Sequence, residues 1–182
     1  MLFPGGRLPL RLFEQRYLQM AKACLRDGTA FGVCLILEGR EVGEPALPAA
    51  VGCTARIAEW DMPQLGVLQV LARGERRFRV REQRVEPDGL VRGTVELLAQ
   101  HDAPVAPAHA PCVGLLRRVI REHPTYLEPP HALDSAAWVS ARLAELLPLP
   151  LALKQTLLEL DDPAERLGRL NGMLSEALSG PS

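Results

Sequence analysis

Hydrophobic positions recur every second residue in the first half of this chain and every third or fourth in the second. Residues 7–12 place Leu8, Leu10 and Leu12 on one side with Pro9 and Arg11 between, the pattern of a half-buried strand. From about Glu14, the residues Tyr17, Met20, Ala21, Cys24 and Leu25 fall at helical spacing. Asp27-Gly28 ends that helix, because glycine takes the positive φ needed just past a C-terminus. Phe31 to Glu38 predicts a buried strand, and residues 39–50, with two Gly and two Pro, predict a loop. Four more strand-like runs follow, at 51–60, 67–76, 77–86 and 90–99. The last sets Val91, Val95 and Leu97 against Arg92, Thr94 and Glu96. Pro87-Asp88-Gly89 is a turn in which Pro presets φ and Gly tolerates the left-handed position. Closely spaced strands with short turns predict an antiparallel sheet curled into a barrel.

Past residue 100 the period changes. Gln100 to Pro111 holds three Pro and four Ala without periodicity and predicts a linker. Beyond it lie three apolar stripes at helical spacing: Val139, Leu143, Leu146 and Leu147; Leu153, Leu157 and Leu160; then Leu167, Leu170, Leu174 and Leu178. Asp162-Pro163-Ala164-Glu165 is a helix start, with an acidic N-cap, Pro at the first helical position and Glu three after the cap. The chain is therefore expected to be α+β. Residues 1–100 form a β-barrel with one inserted helix, 101–111 a linker, and 112–182 a helical bundle docked on the barrel.

Composition narrows the setting. With 47% hydrophobic residues among 182, the chain can bury a core without disulfides or metals. A net charge of −1 offers no bulk attraction to nucleic acid or membrane. Cys24, Cys34, Cys53 and Cys112 form no C-x-x-C pair and suit reduced thiols in a cytoplasmic protein. No signal peptide is evident, and the longest clean apolar stretch, Phe31 to Leu37, is too short to span a bilayer.

The search for chemistry is mostly negative. The chain has no Gly-Lys pair, hence no P-loop, and no dinucleotide fingerprint follows a strand. The five serines, all late in the chain, sit in no nucleophile elbow, and only Lys22 and Lys154 could serve a serine–lysine dyad. His109 and Cys112 have a ligand-like spacing but no second pair to complete a zinc site. His123 and His131 flank a turn-rich segment and are expected at the surface, and Glu59 and Asp61 are expected as solvated loop residues beside Trp60. Arg77, Arg79 and Arg81 alternate with Phe78 and Val80, which predicts one Arg-rich strand face. It is either a phosphate-contacting stripe or a solvated face, and no aromatics interleave for base stacking.

One resemblance covers nearly the whole chain. Leu2-Phe3-Pro4-Gly5, Pro9-Leu10-Arg11-Leu12-Phe13-Glu14-Gln15-Arg16-Tyr17, Phe31-Gly32-Val33, Val51 to Ile57 and Gly74-Glu75-Arg76-Arg77-Phe78 resemble the N-terminal domain of Lon-type ATP-dependent proteases. So do Leu146-Leu147-Pro148-Leu149, Lys154-Gln155 and Asp162-Pro163 through Leu167. The resemblance implies a PUA-like β-barrel with an appended helical bundle, and a role in recognising unfolded or degron-bearing polypeptides for degradation. The ATPase and peptidase domains of such proteases are missing from the sequence, so neither activity carries over. The family's pattern also has an apolar strand just before Leu-Phe-Pro-Gly, which here starts at residue 2; either this sequence begins inside the natural domain, or a sheet edge is left unpaired or covered differently.

These readings converge on a non-enzymatic binding module without cofactor or metal. Its expected partners are unfolded or partly folded polypeptides and protease components, with self-association adding avidity. A partner segment is expected to add to a sheet edge or lie in an apolar groove between barrel and bundle. The candidate anchors are Trp60, Met62 and Leu65 on the exposed connection 60–66, with Tyr126 in the helical half. The alternative is RNA binding through Arg77, Arg79 and Arg81, by analogy with RNA-associated PUA-like barrels.

Overall fold

The computed structural model describes residues 1–39 and 46–179, with side chains described through residue 176. The chain divides into two compact units, Met1–Ala99 and Gln100–Ser182.

The first unit is an antiparallel sheet with one helix. Strand β1 (Arg7–Leu12) is followed by helix α1 (Gln15–Asp27), then β2 (Phe31–Glu38), β3 (Leu47–Gln64), β4 (Val67–Val85) and β5 (Val91–Leu97). The strand order is β1-β4-β3-β2, with β5 also on β4. β4 serves as the spine, because its first half pairs with β1 and its second half with β5, while β3 lines its other side. The alternation of β1 has its expected result: Leu8, Leu10 and Leu12 face a core with Leu68, Val70, Ala72, Cys53 and Ala55. Helix α1 lays Tyr17, Leu18 and Ala21 on the Leu12–Val70 end of that core. It stops where expected, with Gly28 at φ 63. Its Arg16 is buried; Nη1 donates to the Gly89 carbonyl at 2.9 Å, Nη2 pairs with Glu14 at 2.9 Å, and the guanidinium lies 4.8 Å from the centre of the Tyr17 ring. The Glu14–Tyr17 segment thus ties the helix to the β4–β5 turn.

Three strand expectations are corrected. The runs 67–76 and 77–86 form one strand, Val67–Val85, rather than two, because the break is a register shift on β4 between Gly74 and Arg77 and not a turn. Of the expected loop 39–50, residues 40–45 lie outside the described residues, and 47–50 already belong to β3. The apolar run of β2 is only half-buried, with Ile36 and Leu37 exposed, since β2 ends the strand path and pairs only with β3 among the described residues.

The second unit is helical, with α2 (Ala110–Glu122), α3 (Ala136–Leu146), α4 (Leu151–Glu159) and α5 (Pro163–Ser179). The apolar stripes close on one another through Leu116, Val139, Leu143, Leu157, Leu167 and Leu170, all at most 1% exposed. Leu146 sits at the edge of that stripe and is exposed, and Leu178 lies outside the described side chains. Asp162 caps α5 as expected, its Oδ1 accepting from the Ala164 N–H at 2.8 Å. Glu165 does not reach back to complete a capping box; it pairs with Arg169 one turn on, at 2.7 Å.

Before α2, Pro107–His109 form a 3-10 turn, and Pro104 bridges to Ser135. Asp102 reinforces the start of α3: its Oδ1 accepts from Ser135 Oγ at 2.9 Å, Ala137 N at 3.0 Å and Ala103 N at 2.8 Å. Ser135 Oγ in turn accepts from Trp138 N at 3.0 Å. Burial alone would raise the Asp102 pKa, but the three donors together outweigh it and hold the carboxyl below its ordinary value. A carboxyl with a lowered folded pKa contributes stability above the unfolded value, about 3.9, and loses it as pH falls through the folded value. Asp102→Ala is therefore expected to destabilise the helical unit at pH 7 by about 1 kcal/mol, the ordinary worth of a helix cap. In thermal melts from pH 6 to pH 2, the gap between wild type and variant should close below about pH 4. A gap that stays constant to pH 2 would contradict this assignment.

Candidate functional site

The long strands β3 and β4 meet in a tight hairpin at the two-residue turn Leu65-Gly66, flanked by the pair Gln64–Val67. Gly66 takes φ 83, which strains any residue with a Cβ and explains the glycine. The connection expected at 60–66 is thus mostly strand, and Glu59 and Asp61, expected in a loop, lie within β3. Extension does not bury the apolar side chains: Trp60 is 58% exposed, Met62 49% and Leu65 96%. Three large apolar residues within six positions, all in solvent, are a costly surface for a monomer to keep. Asp61 folds back on its own chain, its Oδ1 accepting from the Met62 N–H at 2.8 Å.

An open groove of about 440 Å³ lies beside this tip. Its rows follow from strand register: Pro9 of β1, Leu71 of β4 and Glu59 of β3 lie side by side, as do Arg11, Gln69 and Asp61. Local sequence offered no sign of this groove, since it is assembled from three strands separated by up to fifty residues. Leu10, Trp60 and Val70 line the groove too, but Trp60 pairs with Val70, and strand alternation assigns their side chains to the opposite, core-bearing face.

The other expected residues are placed differently. Tyr126 belongs to the helical unit, where it is 60% exposed and stacks on His123 with centroids 4.9 Å apart. His131, expected at the surface, is half-buried; Nε2 lies 3.0 Å from the Leu127 carbonyl and the ring meets Trp138 edge-on. Arg77, Arg79 and Arg81 do not form an open stripe. Arg77 lies opposite Cys53 on the core face, is 5% exposed, and donates to the Ala99 carbonyl at 3.4 Å. Arg79 is exposed, whereas Arg81 sits at a register shift and pairs with Glu96. The bulge takes Arg81 out of the two-residue alternation that Arg77 and Arg79 keep, and burial removes Arg77 from the surface.

The four cysteines are free thiols. Burial pushes Cys34 and Cys112 up to about 11, which keeps both protonated and unreactive at neutral pH. Cys112 is fully buried in α2, with Sγ 3.5 Å from Asn171 Oδ1. Among the described residues no cluster of His, Cys, Asp and Glu is arranged to hold a metal ion, and no helix is long and apolar enough to cross a membrane.

An antiparallel sheet unit followed by a helical unit, with an apolar hairpin tip left in solvent, defines an α+β protein. The chain belongs to the family of the ATP-dependent protease La (LON) substrate-binding domain, whose model it matches over residues 1–176. A solved structure of a Lon N-terminal domain protein from Xanthomonas campestris is 42% identical, with a TM-score of 0.78 over 93% of this chain and 90% of that one. The N-terminal domain of Lon protease from the Mycobacterium avium complex shares the fold at 19% identity, with a TM-score of 0.67 over 97% and 93% of the two chains. Protein cereblon of Gallus gallus is 30% identical over 123 residues, which are 66% of this chain and 26% of cereblon. The chain thus spans about a quarter of that relative's length.

Proposed function

We propose that this chain is a polypeptide-recognition module that captures unfolded or degron-bearing segments, with the β3–β4 hairpin tip as its contact. The observation that carries this reading is the solvent exposure of Trp60, Met62 and Leu65 on one hairpin. Membership of a substrate-binding domain family supports the same role. Free thiols in all four cysteines suit a reducing compartment, so the proposed setting is the cytoplasm.

Magnitude limits the affinity. Three apolar anchors at about 1.5–3 kcal/mol each supply about 5–9 kcal/mol before ordering costs, which corresponds to micromolar binding or weaker. Useful recruitment then calls for several copies or a second contact. Titration with a reduced and alkylated unfolded polypeptide should give a Kd in the micromolar range. Trp60→Ala combined with Leu65→Ser should weaken it at least tenfold while lowering the unfolding midpoint only slightly, because Leu65 is 96% exposed and Trp60 58%. Absence of wild-type binding at several hundred micromolar polypeptide would refute the proposal.

A further inference from the structure

Strand β3 leaves one edge uncovered as it approaches the hairpin tip. β2 pairs with β3 only as far as Ala55, and among the described residues Ile57–Gln64 pairs with β4 alone. Every residue from Ala58 to Gln64 is exposed. A strand paired on one side presents N–H and C=O groups that a second extended chain can complete. Register shifts flank the stretch, between Ile57 and Glu59 and between Asp61 and Gln64, and Pro63 has no N–H to give. The usable ladder is therefore short and centred on Glu59, Trp60 and Asp61. Side chains, more than ladder length, must select what binds there.

Those side chains sort onto two faces. Glu59 and Asp61 lie opposite Leu71 and Gln69 on the groove face, whereas Trp60 lies opposite Val70 on the other. Carboxylates two residues apart on a strand stand about 7 Å from each other, the same spacing as alternate side chains on an added strand. Among the described residues neither carboxylate has an ion-pair partner; Asp61 only accepts the bond from the Met62 N–H. Arg11 is on the same face, but on β1, two strands or about 10 Å across from Asp61.

We infer that the β3 edge takes, by strand addition, an extended polypeptide in which Lys or Arg alternates with apolar residues. The basic side chains meet Glu59 and Asp61, and the apolar ones lie beside Trp60. This inference rests on the polypeptide-recognition reading and specifies its ligand. A second copy of this chain is a poor occupant, because antiparallel pairing centred on Trp60 sets Glu59 and Asp61 against the same carboxylates of the copy. An acidic segment meets the same repulsion.

The test titrates the full chain with labelled eight-residue peptides, followed by fluorescence polarisation at low salt. One alternates Lys and Val, one alternates Glu and Val, and two are the Lys/Val peptide N-methylated at alternate amides in either phase. The Lys/Val peptide should bind at least tenfold tighter than the Glu/Val peptide, and its affinity should fall with added salt. Glu59→Gln with Asp61→Asn should cost about tenfold for Lys/Val and flatten the salt dependence. Equal binding of the Lys and Glu peptides, or wild-type affinity in the double variant, overturns the charge selection. Full affinity in both methylated peptides overturns strand addition. A parallel titration with the unfolded polypeptide separates the two readings. If it binds while the peptides do not discriminate, only this inference falls; if nothing binds, both fall.

Discussion

Gly74→Ala is expected to destabilise the sheet unit by about 3 kcal/mol or more, a large part of the total stability of an ordinary domain. A Cβ at Gly74 would lie 2.3 Å from the Phe3 carbonyl oxygen, 3.1 Å from Leu2 Cγ and 3.2 Å from Cys53 Sγ. The first contact is with backbone, so no rotamer change relieves it. Leu2 and Phe3, at 1% and 0% exposure, are anchored and cannot move aside without opening the core. The same residue holds the N-terminal turn through two bonds, Gly74 N donating to Gly6 O at 2.9 Å and Gly5 N to Gly74 O at 2.8 Å. Separating the strands to admit a methyl group would break both. Urea unfolding should show a lowered midpoint, or no folded baseline at all. Gly172→Ala is the control: it lies in α5 with nothing within 4 Å of the added carbon, and should stabilise by about 0.5–1 kcal/mol through helix propensity alone. A Gly74→Ala protein as stable as wild type would mean that the N-terminal turn does not pack as described.

Arg166→Ala is expected to cost the helical unit about 3–5 kcal/mol. Arg166 is 5% exposed, and its guanidinium serves the end of α4: Nε donates to Leu157 O at 2.8 Å, Nη2 to Leu160 O at 2.6 Å and Nη1 to Ser140 Oγ at 3.3 Å. Helix α4 has only nine residues, so its last carbonyls are a large share of its backbone. Removing the guanidinium leaves these acceptors without that donor and opens a cavity where a side chain only 5% exposed had stood. Arg166→Lys should recover only part of the loss, since one ammonium cannot span three acceptors set by a planar fork. Arg169→Ala is the comparison. Its guanidinium is 45% exposed and pairs with Glu165, an i,i+4 surface contact worth about 0.5 kcal/mol or less. Urea unfolding followed by far-UV circular dichroism measures all three. Equal effects at 166 and 169 would mean that Arg166 does not carry the α4 terminus.

Both residues illustrate how far local pattern reached. Arg166 and Gly74 stood inside the segments that resemble the Lon N-terminal domain, but their roles came only with the packing. The Leu-Phe-Pro-Gly turn and the Gly74–Phe78 segment, about seventy residues apart in sequence, are bonded to each other in the fold. Phe78 likewise reaches over Gly32 and Gly52, whose added carbons would lie 3.0 Å and 2.7 Å from its Cζ. The exposed tip was readable as apolar residues at 60, 62 and 65 between two strands. The carboxylates beside it look like loop charges in sequence, because only pairing with β4 shows that they share a face and an open edge.

Wherever structure depends on neighbours a few residues apart, the amino-acid order was enough. The span of α1 and its stop at Gly28, the alternation of β1 and the capped start of α5 all follow from spacing that one turn or one pleat can sense, whereas β5 alternates in sequence yet leaves Val95 and Leu97 exposed. The long unbroken β4, the half-exposed β2, the burial of Arg77 and the groove from Pro9 to Asp61 depended on which strand lies beside which. Register between distant strands is set by total core packing and by bulges that shift it one residue at a time. Each shift turns side chains to the opposite face without leaving a mark in the local pattern.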